Sequence, residues 1–235
     1  MAPIDENQTQ RIARDWKGEV GAMGSYASYY YDRAEQESWL AIFWHPETKF
    51  RQLFDRLNPR MLVELACGHG RHTARIFNSP EIRNKIDRAY VMDVNEENIA
   101  FCKERFRENS SIVPLTNSGF DFRSLERESI SAIFCYDAMV HFEYDAVMSY
   151  IFDAARILIP GGQALLHHSN YDQSPGASYS SNPHARNFMT KNLFAHVAIR
   201  AGFKIVEQFV IDWDDAEKLD CISLIQKREE GNQTT

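Results

Sequence analysis

The sequence predicts an α/β fold in which helices cover both faces of a mostly parallel sheet and an antiparallel hairpin closes one end. After residue 59, short apolar runs alternate with helical patterns, which is typical of parallel strands joined by crossover helices. The last two predicted strands, 203–211 and 219–226, are separated by seven residues, too few for a crossover helix. A glycine-containing loop directly follows the first strand, at the edge of the sheet where ligands of such folds bind.

Each element has its own local signal. Apolar runs predict five strands before the hairpin, at 61–66, 89–94, 111–116, 130–136 and 163–169. Helical periodicity predicts helices at 46–57, 71–77, 96–109, 144–155 and 191–200. Pro46 suits a first helical position, Asn95 an N-cap and Gly202 a left-handed C-terminal cap. Residues 160–162 predict a turn, and 170–187 an irregular loop whose length favours a functional role.

Three segments of the chain differ in composition. Residues 1–45 are rich in aromatic side chains and predict a helical cap or lid. Residues 46–227 form the predicted α/β domain, and residues 228–235 are a polar tail. As a lid, the first segment would bring Tyr30 and Trp44 to the substrate; as structure, its aromatics would cover the sheet.

Charge and composition argue against several classes of protein. The net charge of −7 disfavours broad binding to nucleic acid. No apolar run reaches the roughly 18 residues needed for an integral membrane segment, and the polar N-terminus has no secretory pattern. The four cysteines include no CxxC pair and predict reduced thiols, and hence a cytoplasmic protein. The oligomeric state stays open, with a homodimer as one alternative.

The loop after the first strand reads VELACGHGRHT. Gly68 and Gly70 let the backbone approach a ligand without an intervening Cβ. A nicotinamide cofactor would favour a third glycine three residues on, to seat a pyrophosphate, but that position is Thr73. S-adenosylmethionine carries no phosphate but has a cationic end, which suits the carboxylate of Glu64 and the loop amides.

A second carboxylate supports the same cofactor. Asp93 ends the second predicted strand, 23 positions beyond Gly70, close to the roughly 20 expected for a residue that binds a ribose diol. A carboxylate can accept hydrogen bonds from both ribose hydroxyls. Taken alone, Asp93 could equally be a solvated strand end or a helix cap.

The glycine loop, the acidic end of strand two, the five parallel strands and the final hairpin resemble class I S-adenosylmethionine-dependent methyltransferases, over residues 46–227. The chain departs from the family's glycine pattern by having Ala66 at the first glycine position. The resemblance implies a Rossmann-like sheet, with Asn117, Ser118 and Gly119 against the adenine. The cofactor residues that it implies are Glu64, Ala66, Cys67, Gly68, Gly70, Thr73, Asp93, Val94, Asn117, Ser118, Gly119, Asp137 and Ala138.

The strings GHGRHT, CYDAMVHFE, LLHHSN, NPHARNFMT and VIDW…LDCIS together resemble a narrower bacterial group associated with sugar and surface-polysaccharide genes. This resemblance implies O-methylation of a hydroxyl on a sugar or glycan precursor. The alternatives are a methyltransferase for another small metabolite, including an amine or a natural product, a nucleotide-binding oxidoreductase, and a binding protein without catalysis.

Methylation of a hydroxyl benefits from a general base. His141 follows strand four, and His167 and His168 end strand five, where the methyl donor should lie. Because neighbouring residues of a strand point to opposite faces, only one of the last two can face the site, and we expect His168 to do so. His141 is the second candidate for the base, and Asp137 is expected beside the methyl donor.

The long loop after strand five offers further polar side chains. We expect Asn170, His184 and Arg186 to contact the substrate, the last two through an anionic group. Asp137, His141, Glu143 and His168 could supply metal ligands, but no tight ligand spacing appears, and we expect no required metal.

Overall fold

The computed structural model describes residues 27–229, with side chains described from residue 31 onward. The helices in this part of the chain are α1 (Ala27–Ala34), α2 (Glu37–Trp44), α3 (Lys49–Phe54), α4 (Arg71–Phe77), α5 (Pro80–Arg83), α6 (Glu96–Arg105), α7 (Tyr144–Ile157) and α8 (Lys191–Arg200). The strands are β1 (Met61–Leu65), β2 (Arg88–Asp93), β3 (Ile112–Thr116), β4 (Ile130–Cys135), β5 (Leu158–Ser169), β6 (Phe203–Trp213) and β7 (Ala216–Lys227). Short 3₁₀ turns lie at Met139–His141, Tyr179–Ser181 and Pro183–Ala185.

The seven strands form one sheet in the order β3-β2-β1-β4-β5-β7-β6. Strands β1 to β5 pair in parallel, whereas β7 pairs antiparallel with both β5 and β6. The predicted fold class, with its terminal hairpin, is therefore confirmed. Strand β3 is an edge strand, which explains how it accommodates Pro114, a residue that cannot donate a ladder hydrogen bond.

Alternating side chains of the sheet build two apolar layers. Val63, Ile133 and Leu166 face the layer that also contains buried residues of α7 and α8. Their neighbours Leu62, Phe134 and Leu165 face the opposite layer. That second layer is completed from the N-terminal side by Leu40, Phe43 and Trp44 of α2 and by Phe50, Leu53 and Phe54 of α3.

The position of Trp44 contradicts its predicted contact with substrate. Trp44 is 2% exposed, packs on Phe50 and Phe54, and donates a hydrogen bond from Nε1 to Nδ1 of His72 at 2.9 Å. It is absent from the lining of the cavity described below, so its predicted contact with substrate is wrong and its role is packing. The side chain of Tyr30, the other aromatic expected to contact substrate, lies outside the described side chains.

Two local predictions were also wrong. The helix expected from Pro46 begins at Lys49, because the Thr48 side chain accepts a hydrogen bond from the Arg51 amide and caps it there. The turn expected at 160–162 is instead an irregularity within β5. There the register with β4 jumps from Ile130–Leu158 to Ala132–Gln163, so the extra residues form a bulge.

Candidate active site

A cavity of about 690 Å³ lies at the carboxyl ends of the parallel strands. Its size falls within the roughly 300–1,000 Å³ typical of small-molecule sites. Residues that follow β1, β2, β3 and β4 meet there because parallel strands end at the same edge of the sheet. The lining contains these predicted cofactor residues: Ala66, Cys67, Gly68, Asp93, Val94, Asn117, Gly119, Asp137 and Ala138.

Asp93 organises the cofactor end of the cavity. Its Oδ2 accepts a hydrogen bond from the Gly68 amide at 2.9 Å, and its Oδ1 accepts from the Asn95 amide and the Asn98 side chain. Burial raises the pKa of this carboxyl, against those hydrogen bonds. Since a carboxylate offers about four acceptor positions, these three bonds leave room for about one further donor. Asp93 therefore holds the glycine loop as well as lining the cavity, a role that sequence reasoning missed.

Glu64 and Thr73 lie one layer behind the cavity. The Glu64 carboxylate accepts hydrogen bonds from the Thr73 amide at 3.1 Å and from the Thr73 hydroxyl, at the first turn of α4. Its Oε1 is buried and has no hydrogen-bond partner within the described part of the chain. Burial raises the pKa of Glu64 to about 7, despite the bonds from Thr73. A cation bound at the adjacent loop would favour the ionised form of this carboxyl.

The two loop glycines make room for aromatic rings. A Cβ on Gly68 would lie 2.6 Å from Cε1 of Tyr31, and one on Gly70 would lie 2.6 Å from Cε2 of Phe106. Both glycines have left-handed backbones, with φ +53° and +75°. Gly70 is not part of the cavity lining, so its expected ligand contact is replaced by packing against Phe106. Ser118 also stays outside the lining, where its hydroxyl bonds Asp121 within a turn.

Tyr31 is a cavity residue that sequence reasoning missed. Its ring stacks on His69 of the glycine loop with centroids 4.0 Å apart, and its hydroxyl accepts a hydrogen bond from Asn98 at 3.0 Å. Burial and the nearby Asp93 raise the pKa of Tyr31 to about 12. The run of three tyrosines at 29–31 was a usable signal, but the contacts of Tyr31 with His69 and Asn98, which are distant in the sequence, were not readable from it.

A second set of contacts attaches the N-terminal helices α1 and α2 to the surroundings of the glycine loop. Arg105 of α6 donates to the Glu35 carboxylate, at 2.9 Å from Nη2, and to the His69 carbonyl at 2.8 Å from Nη1. Arg75 of α4 pairs with Glu37 at 3.0 Å. These contacts join the N-terminal helices to both helices that flank the glycine loop.

The position of His168 contradicts its predicted role as the base. His168 is fully buried, stacks on Phe194 at 3.9 Å, and lies outside the cavity lining. Its Nδ1 donates to the Ser169 carbonyl, and its Nε2 accepts from the Ser223 hydroxyl, both at 2.8 Å. Burial lowers its pKa to about 3. The prediction that His168 faces the site is wrong, because the pleat turns it toward α8.

His167 faces the other side of the sheet, close to the cavity floor. Its Nδ1 accepts a hydrogen bond from the Asp137 amide at 3.1 Å, so its Nε2 carries the proton and donates to Asp220 at 3.0 Å. Asp220 also accepts two bonds from Arg186, at 2.8 and 2.7 Å. Burial alone would raise the pKa of Asp220, but the bonds from His167 and Arg186 outweigh it and lower the pKa to about 2.

His141 lies in the cavity lining, as predicted. Its Nδ1 is 2.7 Å from the Ala185 carbonyl, and because a carbonyl only accepts, Nδ1 carries the proton. The neutral ring therefore keeps a lone pair on Nε2. Burial lowers the pKa of His141, against the bond to Ala185, which keeps the ring neutral near pH 7.

Asp137 lies beside this histidine in the lining. Its backbone has a left-handed φ of +55°, and its carboxylate pairs with Arg71 at 2.9 Å. The ion pair with Arg71 and the hydrogen bond from the Asp137 amide to His167 hold this strained residue in place.

The predicted substrate residues after β5 divide into two groups. His184 and Arg186 lie in the cavity lining, but each is already paired with a carboxylate, Asp215 and Asp220 respectively. An anionic substrate would have to displace those carboxylates, which disfavours the expected anionic group. Asn170 lies outside the lining, and its side chain bonds the Lys218 carbonyl and the Lys191 amide instead. Its expected substrate contact is therefore wrong.

Residues 27–229 contain one group of three potential metal ligands. The group that could share an ion there is His184, Asp214 and Asp215, whose ligand atoms lie within 4.8 Å of one another. All three side chains are exposed, and His184 is 3.1 Å from Asp215. Among the same residues, no helix combines the length and the apolar surface that a bilayer span requires.

Comparison with known proteins agrees with this geometry. Residues 62–162 match a family model described as a methyltransferase domain. No curated protein matches the chain.

Several solved structures share the fold. One is a chain of the Haloferax volcanii complex that contains the Trm112 methyltransferase activator, with TM-score 0.63 and 15% identity, over 87% of this chain and 97% of that chain. A SAM-dependent methyltransferase from Aquifex aeolicus has TM-score 0.61 and 13% identity, over 83% and 95%. Geranyl diphosphate C-methyltransferase from Streptomyces coelicolor A3(2) has TM-score 0.59 and 13% identity, over 75% and 74%.

The family match and the fold agree with each other: residues 62–162 match a methyltransferase domain, and the sheet that contains them has the class I methyltransferase fold. The cofactor is S-adenosylmethionine, and the residues present fit that molecule. Asp93 would offer its remaining acceptor position to a ribose hydroxyl. An ammonium group bound at the adjacent loop would favour the ionised form of Glu64, whose buried Oε1 has no partner within the described residues. Asn117 and Gly119 line the position expected for the adenine.

Proposed function

We propose that this enzyme O-methylates a hydroxyl of a sugar or glycan precursor, with His141 as the general base. The observation that carries the proposal is the hydrogen bond from His141 Nδ1 to the Ala185 carbonyl. It fixes the tautomer in which Nε2 is unprotonated, on a residue of the cavity lining.

When bound, S-adenosylmethionine supplies an electrophilic methyl group and, as the carbon–sulfur bond breaks, a neutral thioether as the leaving group. His141 would accept the hydroxyl proton at Nε2 as the acceptor oxygen forms its new bond to carbon. Asp137 and Arg71, held together at 2.9 Å, shape the wall between the cofactor end and the acceptor end. The walls position both reactants, and such positioning supplies a large part of the rate in a displacement at carbon.

The composition of the acceptor end supports a neutral, hydroxyl-bearing ring. Trp39, Tyr136, Tyr179 and Trp213 lie in the lining and contribute aromatic surface to it. Of the three arginines in the lining, Arg71 and Arg186 are paired with Asp137 and Asp220. The guanidinium of the third, Arg33, lies 5.0 Å from the centre of the Trp39 ring. The four cysteines are free thiols, which supports the cytoplasm as the compartment. We keep residues 1–45 as a helical cap or lid and residues 228–235 as a polar tail. A homodimer remains one oligomeric state to test.

The test is methyl transfer from labelled S-adenosylmethionine to a panel of neutral sugars, nucleotide-linked sugars and amines, with the product identified by mass spectrometry. We expect an O-methyl ether, and for His141→Gln a turnover about 10²–10⁴ lower with cofactor affinity unchanged. The matched control is His168→Gln, which should lose stability and keep most turnover per folded molecule. Transfer to amines alone, or full turnover of His141→Gln, contradicts the proposed acceptor and base while leaving the enzyme class intact.

A further inference from the structure

The carbonyl that orients His141 belongs to a backbone segment under strain. His184 and Ala185 both have left-handed φ values, +49° and +54°, although neither is a glycine. Such a conformation is unfavourable for a residue that has a Cβ, and it persists only where the surrounding contacts hold it. The Ala185 carbonyl is therefore a fixed acceptor only as long as its segment is held from outside.

Arg186, the next residue, supplies that hold. It is 2% exposed, and Nη1 donates to the His184 carbonyl at 2.9 Å, which ties the two sides of Ala185 together. Nε and Nη2 donate to both oxygens of Asp220, which is 0% exposed, and this attaches the segment to the sheet at β7. The guanidinium also lies 4.7 Å from the centre of the Trp213 ring.

The same carboxylate reaches the other wall of the site. Asp220 accepts a hydrogen bond from Nε2 of His167, and Nδ1 of His167 accepts a hydrogen bond from the Asp137 amide. One buried anion thus connects the segment that orients His141 with the residue that follows β4. A planar, bidentate guanidinium suits this position, because it fixes the direction of both groups that it joins.

We propose that Arg186 is a positioning residue for His141: paired with Asp220, it holds the Ala185 carbonyl where it fixes the Nδ1–H tautomer. The proposal rests on the proposed role of His141 as base. Arg186 donates its hydrogen bonds to Asp220 and to the His184 carbonyl, so it orients His141 through the backbone at Ala185. The charged groups that influence His141 are Arg186, Asp137 and Asp220, and the Tyr179 ring packs 6.4 Å from its ring.

The test compares Arg186→Lys with wild type by ¹⁵N NMR of histidine-labelled enzyme, with the His141 signals assigned by their loss in His141→Gln. The lysine keeps the charge but loses the bidentate geometry. We expect wild type to show the Nδ1–H tautomer, and Arg186→Lys to show both tautomers. Its kcat at the pH plateau should fall about 10- to 100-fold, with the acceptor KM and the cofactor Kd near wild type. The acidic limb of its pH profile should move to lower pH, because the bond to Ala185 that raises the His141 pKa is weakened.

Arg156→Lys is the matched control. Arg156 also binds an aspartate through two nitrogens, Asp153, and also donates to backbone carbonyls, those of Phe122 and Leu125, but it lies outside the cavity lining. It should lose stability without changing the His141 tautomer or kcat. Should Arg186→Lys fold poorly, Asp220→Asn keeps the shape of the acceptor, and the same tautomer mixture is expected.

A single Nδ1–H tautomer in both Arg186→Lys and Asp220→Asn would overturn the proposal, as would an equal change in Arg156→Lys. Because the tautomer is read in the resting protein, the result does not depend on turnover. Full activity of His141→Gln would contradict the proposed role of His141 as the base. The tautomer measurement would still decide whether Arg186 positions the His141 ring.

Discussion

Replacing Gly68 by alanine separates backbone strain from the contact with Tyr31. The matched control is Gly202→Ala, because Gly202 also has a left-handed φ, +99°, but a Cβ there would meet nothing within 4 Å. A left-handed alanine costs about 1–2 kcal/mol, partly offset by about 0.4–1 kcal/mol from the lower entropy of the unfolded chain. We therefore expect Gly202→Ala to lose about 1 kcal/mol of unfolding free energy.

Gly68→Ala should lose more, because its Cβ would lie 2.6 Å from the Tyr31 ring and must displace it. Displacement removes the stacking on His69, about 0.5–1.5 kcal/mol, and the hydrogen bond to Asn98, a further 0.5–1.5 kcal/mol or so. The expected excess over Gly202→Ala is therefore about 1–3 kcal/mol, with each kcal/mol lowering the Tm by roughly 2–4 °C.

The assay is urea and thermal unfolding of Gly68→Ala, Tyr31→Ala and the double variant, read as a double-mutant cycle. When Tyr31 is already alanine, most of the extra loss of unfolding free energy caused by Gly68→Ala should disappear. Cofactor affinity, measured by calorimetry, should fall in both single variants. Equal losses for Gly68→Ala and Gly202→Ala, with no coupling to Tyr31, would refute the placement of this ring on the glycine loop.

Three further predictions concern groups near the site. Ala66→Gly should stabilise the protein by about 0.5–1 kcal/mol in urea unfolding, because Ala66 has a left-handed φ of +58°; a destabilised variant would show that its methyl group packs usefully. Trp44→Phe should lower the free energy of unfolding, derived from thermal unfolding, by about 1–3 kcal/mol, because the buried Nδ1 of His72 loses its donor. An unchanged free energy of unfolding would contradict the hydrogen bond between Trp44 and His72. Glu64 has a pKa raised to about 7, so the unliganded protein should lose up to about 3 kcal/mol as the pH rises from about 4.5 through 7. Glu64→Gln should flatten that pH dependence of urea unfolding, and an unchanged slope contradicts the shift.

The parts of the fold that depend on local patterns were predictable from the sequence. The helix at 191–200 was predicted with the bounds that the structure has, since its periodicity and the following Gly202 are both local signals. Asn95 caps α6 as expected, with its side chain accepting from the Glu97 amide. Residues 160–162 were misread because a Pro-Gly-Gly run can form either a turn or a bulge. Pairing with a distant strand decides between them.

The site was predictable in position and less so in detail. The edge of the sheet and the loop residues followed from topology, but the choice between His167 and His168 depended on the face of β5, which a one-residue shift reverses. The ion pair of Arg186 with Asp220 joins residues 34 positions apart. No local pattern signals such a pair. For the same reason, the expected anionic ligand of Arg186 gives way to an internal carboxylate.

The position of β7 between β5 and β6 has a consequence for how the molecule matures. β7 is late in the chain, yet it supplies Asp220, the anion to which both Arg186 and His167 attach. A folding intermediate in which β7 has not inserted leaves β5 as an open edge, prone to association, and leaves a cation without its partner. Such an intermediate also lacks the anion that holds the Arg186 segment, so full methyl transfer requires that β7 has paired. In refolding experiments, methyl transfer per molecule should therefore appear no earlier than the protection of the β7 amides from hydrogen exchange.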